Sequence, residues 1–411
     1  MNKIIKDQVS RLKPSATLAI NEESNKLKKI GKKIYKFGFG QSPFPIPDSI
    51  VDALKSNAHK NTYLPMQGLE ELRTTIATYI NKKNNNNFIS EDIIIGPGTK
   101  ELMLLTQIAF KGEILLPAPS WVSYQPQALI AKNKVHWIQT SMDNNWFPSA
   151  EELENKIKKL KNKNILLFLN SPNNPSGTVC KNLSEIAKIA KKYKLIILSD
   201  EIYSELTFNT EYKSISNFYP ERTIVSNGLS KWCGAGGWRL GFFAIPNHLK
   251  ELKNSLKILC SESFSSVSAP IQYAALEAYK GDHTQYLDKV RNILEFIGNY
   301  VYENLKSNVV NIKKPEGGFY LLPEFASAKF SSSSEMCKDI LSKTGVALLP
   351  GSDFGFNKKK MLVRLSYTDF DGANFLKNSL GSKKLDYADL EKNAPNIVSG
   401  VKALKEWSKS L

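Results

Sequence analysis

The sequence predicts an α/β protein, with a mostly parallel sheet flanked by helices and a smaller α+β domain after it. Three observations support this fold class. The chain has 411 residues, enough for two domains. Short apolar runs alternate with amphipathic segments from about residue 90 to 245, which is typical of a doubly wound sheet. The pattern then turns helical to about residue 307, before apolar runs return.

Seven apolar runs between residues 90 and 245 have the length of strands. Segments with helical periodicity, such as NLSEIAKIAKKYK, lie between them, and this alternation favours parallel pairing with helices on both faces. In chain order the predicted strands are DIIIG, EILLP, VHWIQ, NILLFLN, KLIILSD, RTIVSN and GFFAI.

The remaining segments predict the second domain and the linkers. GGFYLLP, GVALLP and MLVRLSY predict further strands, and DLEKNAPNIVSGVKALKEWSKSL predicts one amphipathic C-terminal helix. The prolines of QSPFPIP favour an extended linker before the sheet. We therefore expect an N-terminal arm that joins the small domain (1–44), a large domain (45–285) and a small C-terminal α+β domain (286–411).

The composition argues against several classes of protein. The net charge of +17 comes from fifty lysines and only six arginines, spread along the chain, whereas a phosphate-reading surface for nucleic acid would concentrate arginine. No apolar run approaches the roughly 18 residues of a membrane span, and no secretory signal follows the first residues, so we expect a cytoplasmic protein. The cysteines lack metal or redox spacing and predict buried free thiols: Cys180, Cys233, Cys260 and Cys337.

Polar residues follow several predicted strands, where ligands bind in open α/β sheets. In IIIGPGTK, the residues Gly98, Thr99 and Lys100 begin a helix whose free N–H groups suit a phosphate, although such a turn is often only a turn. Asn174 follows the strand LFLN and would bind a ligand or form an Asx turn. Asp200 directly follows an apolar strand, where a carboxylate needs a partner or acts as a cap.

Together with Lys231, these polar residues indicate a single ligand site. Any single lysine among fifty is usually a solvated charge. Here, however, it follows a strand, lies about thirty residues after Asp200, and precedes Arg239 by eight residues. A lysine for covalent attachment, an aspartate for a pyridine nitrogen, and cations for a phosphate are the groups that hold pyridoxal 5'-phosphate (PLP). The pattern therefore indicates a PLP site.

The stretch SNGLSKWCGAGGWRLG, residues 226–241, resembles the lysine motif of the class I aminotransferases, PLP-dependent enzymes of fold type I. Other segments resemble the family's motifs in the family's order, over nearly the whole chain. They are KNTYLPMQGLEELR, PAPSWVSY, NSPNNPSGTV, SDEIYSEL, GGFYLLP, LLPGSDFG and VRLSY.

The resemblance implies a role for each matching residue. Lys231, Asp200 and Tyr203 would be catalytic. Lys231 would carry PLP, and Asp200 would pair with its pyridine nitrogen. The resemblance also makes residues 45–285 the PLP-binding domain of a homodimer. The implied cofactor-binding residues are Gly98, Thr99, Lys100, Trp121, Asn174, Asp200, Tyr203, Lys231, Arg239 and, from a second subunit, Tyr63.

The same resemblance implies amino acid and 2-oxo acid substrates. Arg364 would pair with the substrate α-carboxylate beside Gly40, with Trp121 and Asn174 nearby. The N-terminal segment SRLKPSATLAI resembles the aspartate aminotransferase subgroup, in which Lys100 would meet the distal carboxylate of aspartate or glutamate, with 2-oxoglutarate as acceptor.

One departure from the family pattern keeps other substrates open. GQSPFPIP stands where the family more often has Gly-x-Pro-Asp-Phe, so aromatic, methionine, alanine and prephenate-like substrates remain alternatives. A C–S β-lyase would retain nearly all of these residues. A PLP-binding regulator is disfavoured, because we see no room for a DNA-binding domain before Phe44.

Overall fold

The computed structural model describes residues 4–12, 16–84, 86–209, 211–379 and 385–411. Part of the segment SRLKPSATLAI lies outside these ranges. None of the helices within them is long and apolar enough to cross a membrane. The α-helices are α1 (Asp7–Ser10), α2 (Ala16–Lys29), α3 (Asp48–Asn57), α4 (Glu70–Asn84), α5 (Thr99–Ala109), α6 (Tyr124–Ile130), α7 (Ala150–Lys158), α8 (Leu183–Lys192), α9 (Lys250–Ser263), α10 (Ala269–Lys280), α11 (Thr284–Leu305), α12 (Ser333–Thr344), α13 (Gly372–Asn378), α14 (Tyr387–Asn393) and α15 (Pro395–Ser408).

All seven strands predicted between residues 90 and 245 are present, and they form one sheet in the order β1-β7-β6-β5-β4-β2-β3. β7 is antiparallel to both of its neighbours, and the other pairs are parallel. The strands are β1 (Ile93–Gly96), β2 (Glu113–Ala118), β3 (Lys134–Gln139), β4 (Ile165–Asn170), β5 (Ile196–Asp200), β6 (Thr223–Gly228) and β7 (Gly241–Ala244).

Helices cover both faces of this sheet, as the apolar runs predict. Alternate residues of β4 point to opposite sides: Leu166 packs in the apolar cluster that contains α5 and α9, and Leu167 packs in the cluster that contains α7 and α8. Because both faces are buried, the central strands are apolar throughout rather than alternating. The mixed α/β fold class predicted from the sequence is confirmed.

Two small sheets follow the helical region. One has the order β11-β12-β9 and the other pairs β10 with β8, all antiparallel. The strands are β8 (Val310–Asn311), β9 (Tyr320–Leu321), β10 (Glu324–Phe325), β11 (Leu349–Pro350) and β12 (Val363–Ser366). β9, β11 and β12 lie within the predicted runs GGFYLLP, GVALLP and MLVRLSY, and β10 directly follows the first of these runs. β8 lies outside all three runs and was not predicted.

The prediction of one unbroken C-terminal helix is wrong. α14 ends at Asn393 and α15 begins at Pro395, with Ala394 between them at φ −135°. Pro395 has no backbone N–H to donate and restricts the residue before it, so it begins the second helix instead of continuing the first. α15 packs against α11 and α12.

Candidate active site

The predicted site residues gather at one edge of the large sheet. Six of its seven strands run in the same direction, and only β7 opposes them. Their carboxyl ends therefore lie together, as does the beginning of β7. Segments at the ends of β1, β2, β4, β5 and β6 carry the predicted polar residues to this edge, and Arg239 lies two residues before β7.

A cavity of about 640 Å³ opens at this edge, and ten of the twelve predicted residues line it. Within the described part of the chain, its walls carry four cationic side chains and a single carboxylate. Such an excess of positive charge suits an anionic ligand. The ten residues are Gly40, Thr99, Lys100, Trp121, Asn174, Asp200, Tyr203, Lys231, Arg239 and Arg364.

Lys231 lies in the turn after β6, where its Nζ donates a hydrogen bond of 2.6 Å to the carbonyl oxygen of Gly40. Burial lowers the pKa of Lys231 to about 8, and the nearby positive charge of Arg364 adds to this effect, whereas Asp200 opposes it. At neutral pH this lysine therefore has a far larger neutral fraction than a surface lysine has. A neutral amine is the form that attacks a carbonyl carbon.

Asp200 is the last residue of β5 and is 5% exposed. Its Oδ2 accepts a hydrogen bond of 2.6 Å from the hydroxyl of Tyr124. Burial raises the pKa of Asp200 to about 6, and the hydrogen bond from Tyr124 acts in the opposite direction. A buried carboxylate is costly without a partner, so Asp200 suits a ligand that presents a positively charged N–H group.

The start of α5 forms the second part of the site. Gly98 is its N-cap residue at φ +85°, a left-handed conformation that favours glycine. A Cβ atom there would overlap the guanidinium group of Arg239, so glycine also permits this close approach. The Arg239 side chain donates to the carbonyl oxygen of Gly236 at 2.8 Å. The free N–H groups of α5 and this guanidinium together form a site that fits a phosphate.

Arg364 lies on β12, lines the same cavity and is 3% exposed. Its guanidinium donates to the carbonyl oxygen of Gly38 at 2.7 Å and to Oδ1 of Asn174 at 3.2 Å. Its Nε is buried without a hydrogen-bond partner among the described residues. An unpaired donor on a buried cation indicates a missing acceptor, and a carboxylate matches the geometry of guanidinium.

Trp121 and Lys100 also line the cavity, next to each other. The ammonium group of Lys100 lies 5.1 Å from the centroid of the Trp121 ring. Burial lowers the pKa of Lys100, and the charge of Arg239 lowers it further. Lys100 therefore gains stability from any anion that enters the cavity.

The remaining two predicted residues do not line the cavity themselves. Gly98 precedes Thr99 and touches Arg239, as described above. Tyr63 is 89% exposed and lies outside the cavity of its own chain. A larger groove of about 1340 Å³ is lined by none of the twelve predicted residues. We therefore take the smaller cavity, which ten of them line, as the candidate active site. Among the described residues, no cluster of ligands suits a metal ion.

Sequence reasoning missed two tyrosines in this region. Tyr124 donates to Asp200, and the hydroxyl of Tyr320 lies 3.0 Å from that of Tyr203. Both are fully buried. The motif PAPSWVSY contains Tyr124, but nothing in the sequence indicates that its hydroxyl reaches a carboxylate 76 residues away.

The cavity and its charges suit anionic ligands. The chain belongs to the aminotransferase class I and II family, whose model matches residues 32–375. It is therefore an aminotransferase, as the sequence motifs predict.

Relatives and solved structures agree with this assignment. The aspartate aminotransferase of Bacillus sp. (strain YM-2) is 33% identical over 383 residues, a match that covers 89% of this chain and 95% of that protein. The probable aspartate/prephenate aminotransferase of Aquifex aeolicus is 32% identical over 382 residues, a match that covers 89% of this chain and 95% of that protein. The structure of Thermus thermophilus aspartate aminotransferase with maleate has a TM-score of 0.84 at 26% identity, covering 98% of this chain and 99% of that chain.

Proposed function

We propose that this aminotransferase holds PLP and transfers the amino group of aspartate or glutamate to a 2-oxo acid such as 2-oxoglutarate. The observation that carries the proposal is the position of Lys231. It lies in one cavity with a buried carboxylate, Asp200, and a buried arginine, Arg364, whose Nε has no described partner.

The residues present fit PLP. Lys231 would hold it covalently, and Asp200 would accept a hydrogen bond from its protonated pyridine nitrogen. Gly98, Thr99 and Arg239 would bind its phosphate at the start of α5, where the missing Cβ of Gly98 leaves room for the guanidinium. Trp121 would pack against its ring, and Tyr203 and Asn174 would donate to its phenolic oxygen.

When bound, PLP supplies an electron sink that stabilises negative charge at the substrate Cα. The amino group of the substrate would replace Nζ of Lys231 as the covalently attached amine, and the freed Lys231 would then accept the Cα proton at its Nζ, for which a lowered pKa is suited. Asp200 keeps the ring nitrogen protonated. Arg364 orients the substrate by its α-carboxylate, so that the Cα–H bond faces Lys231.

A dicarboxylic substrate is favoured by the charge of the cavity. Four cations face a single carboxylate, so a phosphate and an α-carboxylate leave room for a further negative group. Lys100 is available for it beside Trp121. The names of relatives support the same choice: several are aspartate aminotransferases, and a similar structure holds maleate, itself a dicarboxylate.

Replacing Lys100 by alanine tests the choice of substrate. We expect KM for aspartate and glutamate to rise roughly 10- to 100-fold, because a charge-assisted hydrogen bond is lost, with a much smaller change for alanine or phenylalanine. Lys188→Ala, which removes an exposed lysine on α8, is the matched control and should leave both values unchanged. Equal effects on dicarboxylic and monocarboxylic substrates would contradict the role of Lys100.

We further propose a homodimer in which Tyr63 of one subunit completes the phosphate site of the other. The exposure of this tyrosine, 89%, is consistent with burial against a second subunit. The domain limits at residues 44/45 and 285/286 stay predictions, as does the cytoplasmic location. All four cysteines are buried and free, as the sequence predicts.

A further inference from the structure

We propose that Tyr320 is a positioning residue that couples the substrate-carboxylate site to the cofactor through two hydroxyl groups. The inference rests on the proposed function, because it takes Tyr203 as the donor to the phenolic oxygen of PLP. Tyr320 lies on β9, within the segment GGFYLLP, and its side chain reaches the cavity. No role was assigned to this residue from the sequence.

The first contact is between two phenols. The hydroxyl oxygens of Tyr320 and Tyr203 lie 3.0 Å apart, and their rings are almost perpendicular at 5.7 Å between centroids. Tyr203 follows β5 in the large sheet and Tyr320 belongs to a small sheet, 117 residues further along the chain. The hydrogen bond therefore connects two parts of the fold inside the cavity.

The second contact is between a ring and a cation. The Cζ atom of Arg364 lies 4.8 Å from the centroid of the Tyr320 ring, within the range of a cation–π interaction. The register of β9 and β12 explains this, because Ser366 is opposite Tyr320 and Arg364 is thus its diagonal neighbour. The same side chain therefore supports the arginine that would bind the α-carboxylate.

Gly40 makes room for the Tyr320 hydroxyl. A Cβ atom at residue 40 would overlap that oxygen. The carbonyl oxygen of Gly40 also accepts the hydrogen bond from Lys231. A residue without a side chain is thus required where Lys231, Tyr320 and the backbone of residue 40 converge.

The count of protons fixes the direction of the hydrogen bond. Burial raises the pKa of both tyrosines, so each keeps its single hydroxyl proton at neutral pH. If Tyr203 donates its proton to the cofactor, its oxygen is left only as an acceptor, and Tyr320 is the donor to it. A hydroxyl that accepts a hydrogen bond becomes a stronger donor, so Tyr320 strengthens the bond from Tyr203.

Tyr320→Phe tests the inference, since it removes the hydroxyl and keeps the ring. The readout is the pH midpoint of the colour change of lysine-bound PLP. A hydrogen bond donated to the phenolic oxygen stabilises the form of lysine-bound PLP that has one proton fewer. Weakening the hydrogen bond from Tyr203 should therefore raise the pH midpoint of the colour change, by roughly half a pH unit. The affinity for maleate should stay within about twofold, because the contact with Arg364 remains.

Two further variants separate the hydroxyl from the ring. Tyr320→Leu should raise the midpoint similarly and also weaken maleate binding about 5- to 10-fold, since the cation–π contact is lost. Tyr219→Phe is the control: its hydroxyl donates to the carbonyl oxygen of Leu195, away from the cavity, and its loss should change neither value. The charged groups that face the cofactor stay the same in every variant: Lys100, Asp200, Lys231, Arg239 and Arg364.

The decisive comparison is made in a Tyr203→Phe background. Tyr203→Phe alone should raise the pH midpoint at least twice as far as Tyr320→Phe alone does. Adding Tyr320→Phe to Tyr203→Phe should then raise the midpoint no further. A shift of the same size with and without the Tyr203 hydroxyl, or no shift at all, would overturn the role of Tyr320. If the wild type binds no PLP, or Tyr203→Phe leaves the midpoint unchanged, the placement of the cofactor itself is wrong and the inference falls with it.

Discussion

Replacing Lys231 by alanine lowers kcat/KM for transamination at least about 10⁴-fold, because both the covalent attachment and the proton acceptor at Nζ are lost. Steady-state kinetics with aspartate and 2-oxoglutarate measure this. Lys231→Arg should be equally inactive, although it keeps the positive charge. Lys188→Ala, on the exposed face of α8, should retain full activity.

The loss of activity in Lys231→Ala should not reflect unfolding. Burial places the pKa of Lys231 at about 8 in the folded protein, below its ordinary value of 10.5. Burying the ammonium form of Lys231 therefore lowers the stability of the folded protein. This loss of stability is fully present below pH 8 and disappears above about pH 10.5. The cofactor-free variant should consequently be no less stable than the wild type at pH 7, as measured by denaturant unfolding. A variant that is both inactive and clearly less stable at that pH would contradict this explanation.

Replacing Asp200 by asparagine lowers kcat/KM about 10³-fold, because the isosteric amide no longer holds a positive charge on the ring nitrogen. Asp288→Asn, on the exposed surface of α11, is the matched control and should be fully active. Activity of Asp200→Asn within tenfold of the wild type would show that this carboxylate does not perform the proposed role.

The same variant has a predicted effect on stability that depends on pH. The pKa of Asp200 is about 6 when folded, above its ordinary value of 3.8, because the carboxylate is buried. The carboxyl group of Asp200 thus binds its proton more tightly in the folded protein than in the unfolded chain. Its ionised form lowers the stability of the folded protein, and this loss reaches its full size above pH 6. Cofactor-free Asp200→Asn should be more stable than the wild type at pH 7, by up to about 3 kcal/mol. The difference should shrink as the pH falls from 6 to 4, and a constant difference would argue against this origin.

The sequence was a good guide wherever a local pattern determined the structure. Strand-length apolar runs gave all seven strands of the large sheet, because strands buried on both faces must be apolar throughout. The glycines of GPGTK correctly indicated the start of α5 at Thr99. The C-terminal helix was mispredicted because helical periodicity continues across Pro395, whose missing donor breaks the helix.

Contacts between distant segments could not be predicted in the same way. The antiparallel direction of β7 depends on pairing with β1 and β6, which no local pattern encodes. The hydroxyl groups of Tyr124 and Tyr320 form hydrogen bonds with partners that are 76 and 117 residues away along the chain. The resemblance to a family implied roles for the residues in its motifs, and these roles stay predictions. The role of Tyr63 depends in addition on a second subunit.

A half-reaction panel tests the central claim most directly. The protein with PLP is mixed with single amino acids in the absence of any 2-oxo acid, and absorbance follows the loss of lysine-bound PLP and the gain of pyridoxamine phosphate. The account predicts that aspartate and glutamate convert the cofactor fastest, and that Lys100→Ala removes this preference. Faster conversion by an aromatic or another neutral amino acid would contradict the dicarboxylic substrate, and no conversion by any amino acid would contradict the proposed use of Lys231 and PLP.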